Sequence, residues 1–585
     1  MNLLVLVLGS GALLLLAYWT YGSLLGRLFK LDKNARTPAV EMRDDVDFVP
    51  IDSKFLLGQH FSAIAAAGPI VGPILAGVMF GWGPALLWIL IGSVLIGGVH
   101  DFGALVASVR HKARSIAEVV SEYMSRRSYI LFLLFVWITL VYIIVAFTDI
   151  VASSFVGRQT LENGLVVTGG GIATSSLLYL TLPIMMGLLM RYAKLSLLWA
   201  TIIFLPLVGV AIWVGQSIPL DLPSILGISE SRGRQSWDVL LLLYCFAASV
   251  VPMWMLLQPR GHLGGYFLYA VLAAGALGII FGGKTAQYPV FTGLVTAKGE
   301  ALFPLLFITV ACGACSGFHA LVSSGTTSKQ IKTETDTKLI GYGGMLLEAM
   351  VALISLCCVM MLAKNASVLQ GPLKANMIYG LGIGSFLEVI HVPAAFGVSF
   401  GLLAFTTFVY DTLDVSTRLG RYIVQELTGF KGRFGRYLAT ALTAGVPILF
   451  VMRETKDAAG NVIPAWKVFW SLFGASNQLL AALTLVGITV WLYRKYGARW
   501  VWLVTIPPAA FMLVMSNWAL LGFIKAGFFK PDWTFKGLVP DPVPYVAIIL
   551  VVLALMILYE AIKAFAKARV VEPVAQPEIF EEPEA

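Results

Sequence analysis

The sequence has few charged residues. Asp, Glu, Lys and Arg make up 12% of its 585 residues, whereas the average for soluble domains is about 25%. Hydrophobic residues make up 58%, and the mean hydropathy is +0.84. This composition excludes a water-soluble globular domain and is typical of an all-α polytopic membrane protein.

Cysteine is also scarce. The five cysteines are an odd number, all within predicted helices, which excludes an extracellular disulfide framework. Cys312 and Cys315 form a C-x-x-C pattern, but neither a second pair nor histidines at ligand spacing follow. The sequence therefore predicts that these thiols pack in the interior, with no metal site and no cofactor.

Apolar runs long enough to cross a bilayer recur along the whole chain. Such runs are helical in hydrocarbon, because every backbone N–H and C=O group needs a partner within the segment. The pattern predicts about fifteen transmembrane helices. They cover residues 2–24, 55–78, 84–109, 130–155, 175–190, 195–218, 238–257, 264–283, 301–322, 342–362, 391–411, 437–452, 468–491, 500–522 and 543–562.

The basic residues predict the orientation. The first apolar segment has no basic region before it and basic residues after it, from Arg27 to Arg36, so it is predicted to be a retained helix. With the N terminus outside and the C terminus in the cytoplasm, most of the 41 lysines and arginines lie in cytoplasmic loops. The net charge of +9 is then an orientation signal, and no nucleic-acid partner is expected.

Two stretches share an unusual pattern. Residues 58–73, GQHFSAIAAAGPIVGP, and residues 311–328, ACGACSGFHALVSSGTTS, each place a histidine beside a phenylalanine and near a glycine-rich break. A helix with one acid, Asp101 or Glu348, follows each stretch. Each copy then leads to a helix with threonine and aspartate, which are Thr148 and Asp149 in the first copy and Asp411, Thr412 and Asp414 in the second. The sequence therefore predicts an internal repeat.

The second copy is predicted to be inverted. The copies begin at the second and ninth predicted helices, and an odd displacement reverses the direction in the membrane. Inverted repeats with broken helices are typical of secondary transporters, whose sites lie near the bilayer midplane. Pro69 and Pro73 interrupt the first stretch, and the small residues of 313–325 predict an unwound segment that lines a wet cavity. The alternative is plain helix packing through small residues.

Acids within predicted membrane helices are candidates for ion coupling. An aspartate at the centre of a membrane helix costs about 2.5–3.5 kcal/mol, so such residues are expected to face the interior or an aqueous path. Asp101 and Glu348 are the deeper pair. Asp149 and Asp414 lie near helix ends, where an interfacial or capping role is the alternative.

Histidines near these acids are candidate proton relays. Histidine titrates near neutral pH, and a neighbouring carboxylate shifts its protonation across the working range. His60, His100 and His319 all lie in apolar segments that also carry acids or lead to them. A structural role is the alternative for each.

The segments GQHFSAIAAAGPIVGPILAG, HDFGALVAS, FTDIVASSF, CGACSGFHALVSSGTTSKQI, VYDTLDVSTRLGRYI and WSLFGASNQLLAALTL closely resemble the carbon starvation protein A family of bacterial inner-membrane transporters. The resemblance extends over residues 1–500. It implies uptake of pyruvate or small peptides coupled to protons, and location in the bacterial inner membrane. It also implies a LeuT-like fold of the amino acid–polyamine–organocation superfamily, with a five-plus-five inverted repeat. Family members often carry glutamine at the position of His100, so the resemblance implies no role for His100.

The predicted organisation has six parts. Residues 1–50 form an N-terminal extra helix and a basic cytoplasmic loop, 51–225 the first repeat, 226–300 two connecting helices, 301–495 the second repeat, 496–568 C-terminal extra helices, and 569–585 a disordered acidic tail.

The predicted mechanism is alternating access by a secondary active importer. A small anionic or zwitterionic substrate is expected between the two broken helices, with its carboxylate at exposed N–H groups near 68–72 or 313–317. The predicted substrate-binding residues are His60, Ser62, Gly68, Gly72, Gly317, His319, Ser323, Ser324 and Thr326. The predicted ion-coupling residues are Asp101, Asp149, Glu348, Asp411, Asp414, Thr406 and Thr407.

The coupling ion is expected to be a proton bound by Asp101 or Glu348. The alternative is a sodium ion held by carbonyls of the first broken helix and by the hydroxyls of Thr406 and Thr407. The expected partners are a small-molecule substrate and the lipid bilayer.

Two other classes of function are weaker alternatives. An intramembrane enzyme would use His319 or His60 as a base beside Ser323 or Asp101, but no nucleophile elbow or H-E-x-x-H motif supports it. A channel is weaker still. Substrate counterflow separates all three, because only a carrier exchanges labelled for unlabelled substrate without a net driving force.

Overall fold

The computed structural model describes residues 2–44, 48–160, 164, 166–252, 254–297, 299–370, 373–430, 432–456, 462–530 and 532–567. The described chain is almost entirely helical. The predicted acidic tail, 569–585, lies outside the described residues.

The first half of the described chain contains α1 (Leu3–Trp19), α2 (Tyr21–Leu28), α3 (Pro38–Glu41), α4 (Ser53–Ile64), α5 (Gly68–Phe80), α6 (Trp82–Gly92), α7 (Gly98–Arg110), α8 (Ile116–Tyr123), α9 (Arg126–Ser154), α10 (Gly169–Tyr192), α11 (Leu197–Ser217), α12 (Leu222–Leu226), α13 (Glu230–Val250) and α14 (Leu257–Phe281). A π-helical turn, Ser93–Gly97, joins α6 to α7. Strands β1 (Arg158–Thr160) and β2 (Val166–Thr168) form an antiparallel hairpin in which Arg158 lies opposite Thr168.

The second half contains α15 (Leu302–Thr309), α16 (Gly317–Gly325), α17 (Gly344–Met360), α18 (Ala375–Leu387), α19 (Ala394–Thr428), α20 (Gly432–Val451), α21 (Ala465–Tyr496), α22 (Val501–Val504), α23 (Ile506–Phe528) and α24 (Val543–Ala566). A π-helical turn, Lys338–Gly343, leads into α17, and 3-10 turns cover Thr327–Lys329, Ser367–Leu369 and Glu388–Ile390. Strands β3 (Thr455–Lys456) and β4 (Val462–Ile463) pair antiparallel.

Twelve helices of the described chain are long and apolar enough to cross a membrane, and the bent pair α4–α5 is a thirteenth candidate. The predicted number of fifteen is not confirmed. The segment 238–257 corresponds to α13, whose first half is polar and includes Arg234 and Asp238, and 301–322 corresponds to the short helices α15 and α16. The structure also adds α18, which was not predicted from the sequence.

The first predicted break is present. α4 ends at Ile64, α5 begins at Gly68, and the two helices differ in direction by 50°. Pro69 is favoured in the first turn of α5, where a helix leaves its N–H groups unbonded in any case. A Cβ atom on Gly72 would lie 2.5 Å from the carbonyl oxygen of Thr309, so the close approach of the two backbones requires glycine there.

The second break lies earlier in the chain than predicted. The non-helical stretch is 310–316, between the end of α15 and the start of α16. The stretch 313–325 is therefore not unwound as a whole, because it is helical from Gly317 onward. Ser324 fits within this helix by donating its hydroxyl to the carbonyl of Ala320 at 2.7 Å.

The broken helices lie at the buried centre of the bundle. They contact α7, α14, α17, α19 and α21, and α17 and α21 are the most fully buried spans of the described chain. The outer spans, such as α1–α2 and α11, expose mostly apolar surface of the kind that a bilayer covers. Charged side chains at the centre are thus shielded from both water and lipid.

One side of the bundle carries four arginines, at the ends of α10 and α19 and near the start of α20, next to the segment before α4. Nε of Arg110 donates to Glu334 at 2.6 Å, and the backbone N–H of Asp32 donates to the same carboxylate at 2.7 Å. On the same side, the N–H of Ile51 donates to the carbonyl of Gln330 at 3.1 Å, which joins the loop before α4 to the loop after α16. We call this side, which carries the loops before α4, after α7 and after α16, the basic face.

Candidate functional site

A chain of acids and imidazoles lies at the buried centre. Nδ1 of His319 lies 2.7 Å from Oδ2 of Asp101, and Nε2 of His319 lies 3.2 Å from Oε2 of Glu348. Nδ1 of His100 lies 2.7 Å from Oδ1 of Asp101. None of these four side chains has exposed surface. We call Asp101, His319 and Glu348 the central triad, which brings together three residues predicted from the sequence.

Both acids of the central triad follow a π-helical turn. Asp101 is the fourth residue of α7, which continues from the π turn Ser93–Gly97. Glu348 is the fifth residue of α17, which continues from the π turn Lys338–Gly343. Single π turns are rare inside helices and occur often at functional sites. The two copies of the predicted repeat therefore present their acids in the same way.

Asn477 of α21 holds the second break in place. Its Oδ1 atom accepts a hydrogen bond from the N–H of Phe318 at 2.9 Å, and its Nδ2 atom lies 3.0 Å from the hydroxyl of Ser316. The amide oxygen thus occupies the start of α16, where a substrate carboxylate was predicted to bind. One N–H group at this half-helix terminus, that of Phe318, therefore already has a partner, while carboxylate binding near 313–317 stays a prediction.

The glycines predicted for the substrate shell are packed against other backbones or side chains. A Cβ atom on Gly68 would lie 2.3 Å from Sγ of Cys312, and one on Gly317 would lie 2.5 Å from the carbonyl oxygen of Asn477. Gly72 contacts Thr309 as described above. These glycines serve close helix packing in this structure, which was the alternative from the sequence.

A small cavity lies between the first broken helix and the segment that follows the second. Its volume is about 40 Å³. The predicted residues that line it are His60, Thr326 and Asp411, and they are joined by Gln59, Gln258, Thr327 and Lys329. Ser323 and Ser324 are buried in α16 and are not part of this lining.

His60 connects this cavity to the central triad. Its Nδ1 atom lies 2.9 Å from the hydroxyl of Thr327, and its Nε2 atom has no hydrogen-bond partner among the described residues. The ring packs against Gly344, where a Cβ atom would lie 3.1 Å from Cδ2 of His60. Gly344 is one helical turn before Glu348, so both contacts fall on the same face of α17.

A second charged cluster is centred on Arg260, which was not predicted as a site residue. Its Nε atom donates to Oδ1 of Asp411 at 2.6 Å, and its Nη1 atom lies 2.5 Å from Oδ2 of Asp414. The side chain of Arg260 is fully buried, and Asp411 and Asp414 are each 2% exposed. We call these three residues the arginine cluster. Its guanidinium offsets two carboxylates that would be very costly to bury alone.

Ser62 and Tyr244 complete the arginine cluster. The hydroxyl of Ser62, in the last turn of α4, donates to Oδ2 of Asp411. The hydroxyl of Tyr244 donates to Oδ2 of Asp414 at 3.0 Å and accepts a bond from Arg260. Ser62 was predicted to bind substrate, but here it ties the first broken helix to α19.

Thr406 and Thr407, the two hydroxyls of the sodium alternative, have different surroundings, and their role in ion binding stays a prediction. The hydroxyl of Thr406 lies 3.1 Å from that of Ser176 in α10 and donates to the carbonyl of Leu403 at 3.0 Å. The buried hydroxyl of Thr407 has no hydrogen-bond partner among the described residues. Thr407 lies one turn before Asp411, on the same face of α19.

Asp149 lies apart from the other predicted residues and fits the capping alternative. Its Oδ2 atom accepts a hydrogen bond from the N–H of Trp466, in the first turn of α21, at 2.8 Å. Its Oδ1 atom lies 3.3 Å from Nε of Arg234. A carboxylate at a helix N terminus both caps free N–H groups and complements the helix dipole.

Sequence signals for the unpredicted residues were weak but present. Arg260 is a lone arginine in the stretch LLQPRGHLGG. The predicted helix begins at residue 264, which places Arg260 at a membrane boundary, whereas α14 begins at Leu257 and includes it. Asn477 is an amide in the apolar run FGASNQLLAALTL. Such amides bond across helices in many membrane bundles, so the type of residue alone did not reveal its partner.

The described residues offer no obvious metal centre. The five cysteines are free and buried, and no group of three or more His, Cys, Asp or Glu in the described chain is arranged to hold a metal ion.

Known proteins resemble this chain over most of its length. The family model described as carbon starvation protein CstA matches residues 2–378 and 365–519. The peptide transporter CstA of Campylobacter jejuni is 33% identical, with 87% of this chain and 79% of that protein covered. The pyruvate/proton symporter BtsT of Escherichia coli is 31% identical, with 88% of this chain and 81% of that protein covered.

A solved structure with some likeness is that of a manganese transporter from Eremococcus coleocola. It is 13% identical, covers 89% of this chain and 98% of its own, and superposes with a TM-score of 0.45. A score this low does not test the LeuT-like fold, which stays a prediction.

Proposed function

The chain belongs to the carbon starvation protein CstA family, and on that premise we propose that it imports a small carboxylate such as pyruvate, or short peptides, together with protons. It is a multi-pass membrane protein, and its relatives are named as transporters rather than as enzymes. The observation that carries the proposal is the central triad, in which two carboxylates and one imidazole are buried in contact. His60, which lines the cavity, packs against the helix that carries Glu348.

The central triad is suited to holding one exchangeable proton. With Asp101 and Glu348 ionised and His319 protonated, the triad carries one net negative charge, and an added proton makes it neutral. Burying a net charge costs far more than burying a neutral group that is hydrogen-bonded. The sealed site therefore favours the proton-loaded form, whereas contact with water permits release.

The arginine cluster argues against sodium binding at the two acids of α19. A sodium ion at Asp411 and Asp414 would have to compete with Arg260, whose guanidinium already supplies the positive charge between them. A side-chain cation stays with the protein and is not carried across the membrane. In this proposal Asp411 and Asp414 are structural, and the mobile ion is the proton of the central triad.

The cavity beside His60 is the proposed substrate site. Nε2 of His60 is without a described partner, and Lys329, Gln59 and Gln258 add further donors to the lining. These groups suit a carboxylate, which accepts hydrogen bonds and favours a nearby positive charge. Binding sites commonly measure about 300–1,000 Å³, so the cavity has to widen from its volume of about 40 Å³ when a substrate enters.

Matching contacts between the two copies support alternating access. α5 packs on α17 as α16 packs on α7, and α13 packs on α19 as α20 packs on α9. This pattern favours a first copy made of α4–α7, α9, α13 and α14, with α10 and α11 as an insertion. The boundaries 51–225 and 226–300 stay predictions, and the packing favours moving α13 and α14 from the connecting segment into the first copy.

Transport by purified protein in proteoliposomes tests the proposal. Labelled pyruvate should exchange with unlabelled pyruvate without a driving force, and should accumulate when the interior is made alkaline in sodium-free medium. A sodium requirement would favour the alternative ion, and equilibration without counterflow would indicate a channel. The same assay with di- and tripeptides decides between the two substrate classes.

A further inference from the structure

A large vestibule opens on the basic face, next to the cavity. Its volume is about 1020 Å³. Gln59 and Gln258 line both spaces, so the inner end of the vestibule adjoins the cavity. Its wall is formed by the segment before α4, the ends of α10 and α13, the start of α14, and the facing ends of α19 and α20.

The wall of this vestibule is strongly basic. Arg191, Arg418, Arg421 and Arg436 line it together with His262, and its described lining contains no aspartate or glutamate. None of the four arginines forms a salt bridge with another described residue. A cleft lined by charge of one sign, with low-dielectric walls, concentrates ions of the opposite sign.

Two of these arginines are nearly buried. Arg418 and Arg421 are 5% and 4% exposed. Nη2 of Arg418 donates to the carbonyls of Ala248 and Val251, both at 2.7 Å, and thereby holds the end of α13. The Nε atoms of Arg418, Arg421 and Arg436 are buried and have no hydrogen-bond partner among the described residues. Leaving such donors unbonded is costly, which fits a site whose counter-charge arrives with a ligand.

We propose that the vestibule binds the carboxylate of the transported substrate on its way between the cavity and the water at the basic face. This inference rests on the proposed function and adds that the entrance selects substrates that carry a negative charge. Arg421 and Arg436 supply guanidinium groups whose Nε atoms have no hydrogen-bond partner among the described residues and whose planar geometry matches a carboxylate, although each also lies over a neighbouring ring, that of Tyr422 or Tyr437. Pyruvate and the C terminus of a peptide present this group, whereas an amide does not.

An anionic lipid headgroup carries related chemistry, but the layout favours the substrate. The vestibule continues into the cavity through Gln59 and Gln258. Arg418 and Arg421 are also almost fully buried. Two of the four arginines thus lie within the bundle rather than on its surface, in a space that adjoins the cavity.

The electrostatic part of the proposal can be measured without transport. Gln425 also lines the vestibule, and Gln425→Cys in a cysteine-free background gives a single reactive thiol there. An anionic methanethiosulfonate reagent should react about tenfold or more faster than a cationic one, relative to the same ratio for free cysteine. Arg421→Gln with Arg436→Gln should bring the ratio close to that of free cysteine, and pyruvate should slow the anionic reagent.

Transport gives the second measurement. In counterflow, Arg421→Gln and Arg436→Gln should each raise the half-saturating pyruvate concentration at the basic face several-fold, and raising the ionic strength should reduce the difference from wild type. Arg421→Lys should recover part of the loss, because it keeps the charge. Arg433→Gln is the matched control, since Arg433 is exposed at the start of α20 and is not part of the vestibule lining.

The outcomes separate this inference from the proposed function. A reagent ratio like that of free cysteine, unaffected by the arginine changes, overturns the vestibule site whatever the transport result. Absence of pyruvate exchange by wild type overturns the proposed substrate, while the reagent ratio and its response to other carboxylates still decide the vestibule. An effect of Arg421→Gln in vesicles containing phosphatidylglycerol, but not in pure phosphatidylcholine, assigns the arginines to lipid and also overturns the proposal.

Discussion

Nδ1 of His319 lies 2.7 Å from Oδ2 of Asp101, although the two residues belong to different copies of the predicted repeat. Glu348 completes the contact on the other side of the imidazole at 3.2 Å. The side chains of all three residues are fully buried. A helix movement that opens either copy to water therefore changes the surroundings of every group in the central triad.

Asp101→Asn should abolish accumulation of substrate against its gradient while exchange remains measurable. The amide keeps the shape of the carboxylate but removes the charge that holds a proton between Asp101 and His319. Accumulation driven by an imposed pH gradient and counterflow are compared in the same proteoliposomes. Asp532→Asn is the control, because Asp532 is exposed in the loop after α23. Accumulation equal to wild type in Asp101→Asn would remove this residue from the mechanism.

His60→Ala and His319→Ala should have different effects. His60 lines the cavity, and a hydrogen bond to a charged group contributes about 1.5–3 kcal/mol, so His60→Ala should raise the half-saturating concentration about ten- to a hundredfold. His319 contacts both acids, so His319→Ala should mainly abolish the response of uptake to pH. Concentration and pH series of initial rates separate the two effects. Identical profiles for both variants would contradict the division of roles.

Arg260→Ala should destabilise the protein and create a cation site. Removing one partner of a buried ion pair costs about 3–5 kcal/mol, because Asp411 and Asp414 are left without their counter-charge. The unfolding temperature in detergent should fall, and sodium chloride should restore more of it than choline chloride does. Arg499→Ala, at an exposed arginine, is the control. Specific stabilisation of the wild type by sodium would instead revive the sodium alternative.

Cysteines at Thr326 and Ser323 should differ in reactivity. Thr326 lines the cavity, whereas Ser323 is buried within α16. In a cysteine-free background, Thr326→Cys should react with a small hydrophilic thiol reagent and substrate should slow the reaction, while Ser323→Cys should stay inert. Equal reactivity at both positions would show that the whole stretch 313–325 is unwound, as the sequence alone predicted.

The contacts of the central triad and the existence of two breaks could be predicted from the sequence. An ionised group in an apolar helix needs a partner, so Asp101 and Glu348 were expected to meet other polar groups, and His319 was the available base. Pro69 marks the first break by its effect on the helix. The sequence did not give the position of the second break, because serine and threonine satisfy their hydroxyls within a helix as readily as in a cavity.

The arginine cluster and the hydrogen bond between Asn477 and the start of α16 could not be predicted from the sequence. Arg260 and Asp411 are 151 residues apart, and an arginine near a helix boundary has the same appearance whether it faces water or an acid. Asn477 bonds Phe318 across 159 residues. Asp149 shows the reverse case, in which an acid that looked functional caps a neighbouring helix. Local patterns predict which residues need partners but not which partners they find.

The most direct test of proton coupling through the central triad is the pH change that accompanies transport. Proteoliposomes in weakly buffered, sodium-free medium receive pyruvate, and the external pH is recorded for wild type and for Glu348→Gln. Wild type should take up protons with pyruvate and make the medium more alkaline, while Glu348→Gln should exchange pyruvate with no such change. Pyruvate uptake by wild type without a pH change, or unchanged proton uptake in Glu348→Gln, would contradict the account.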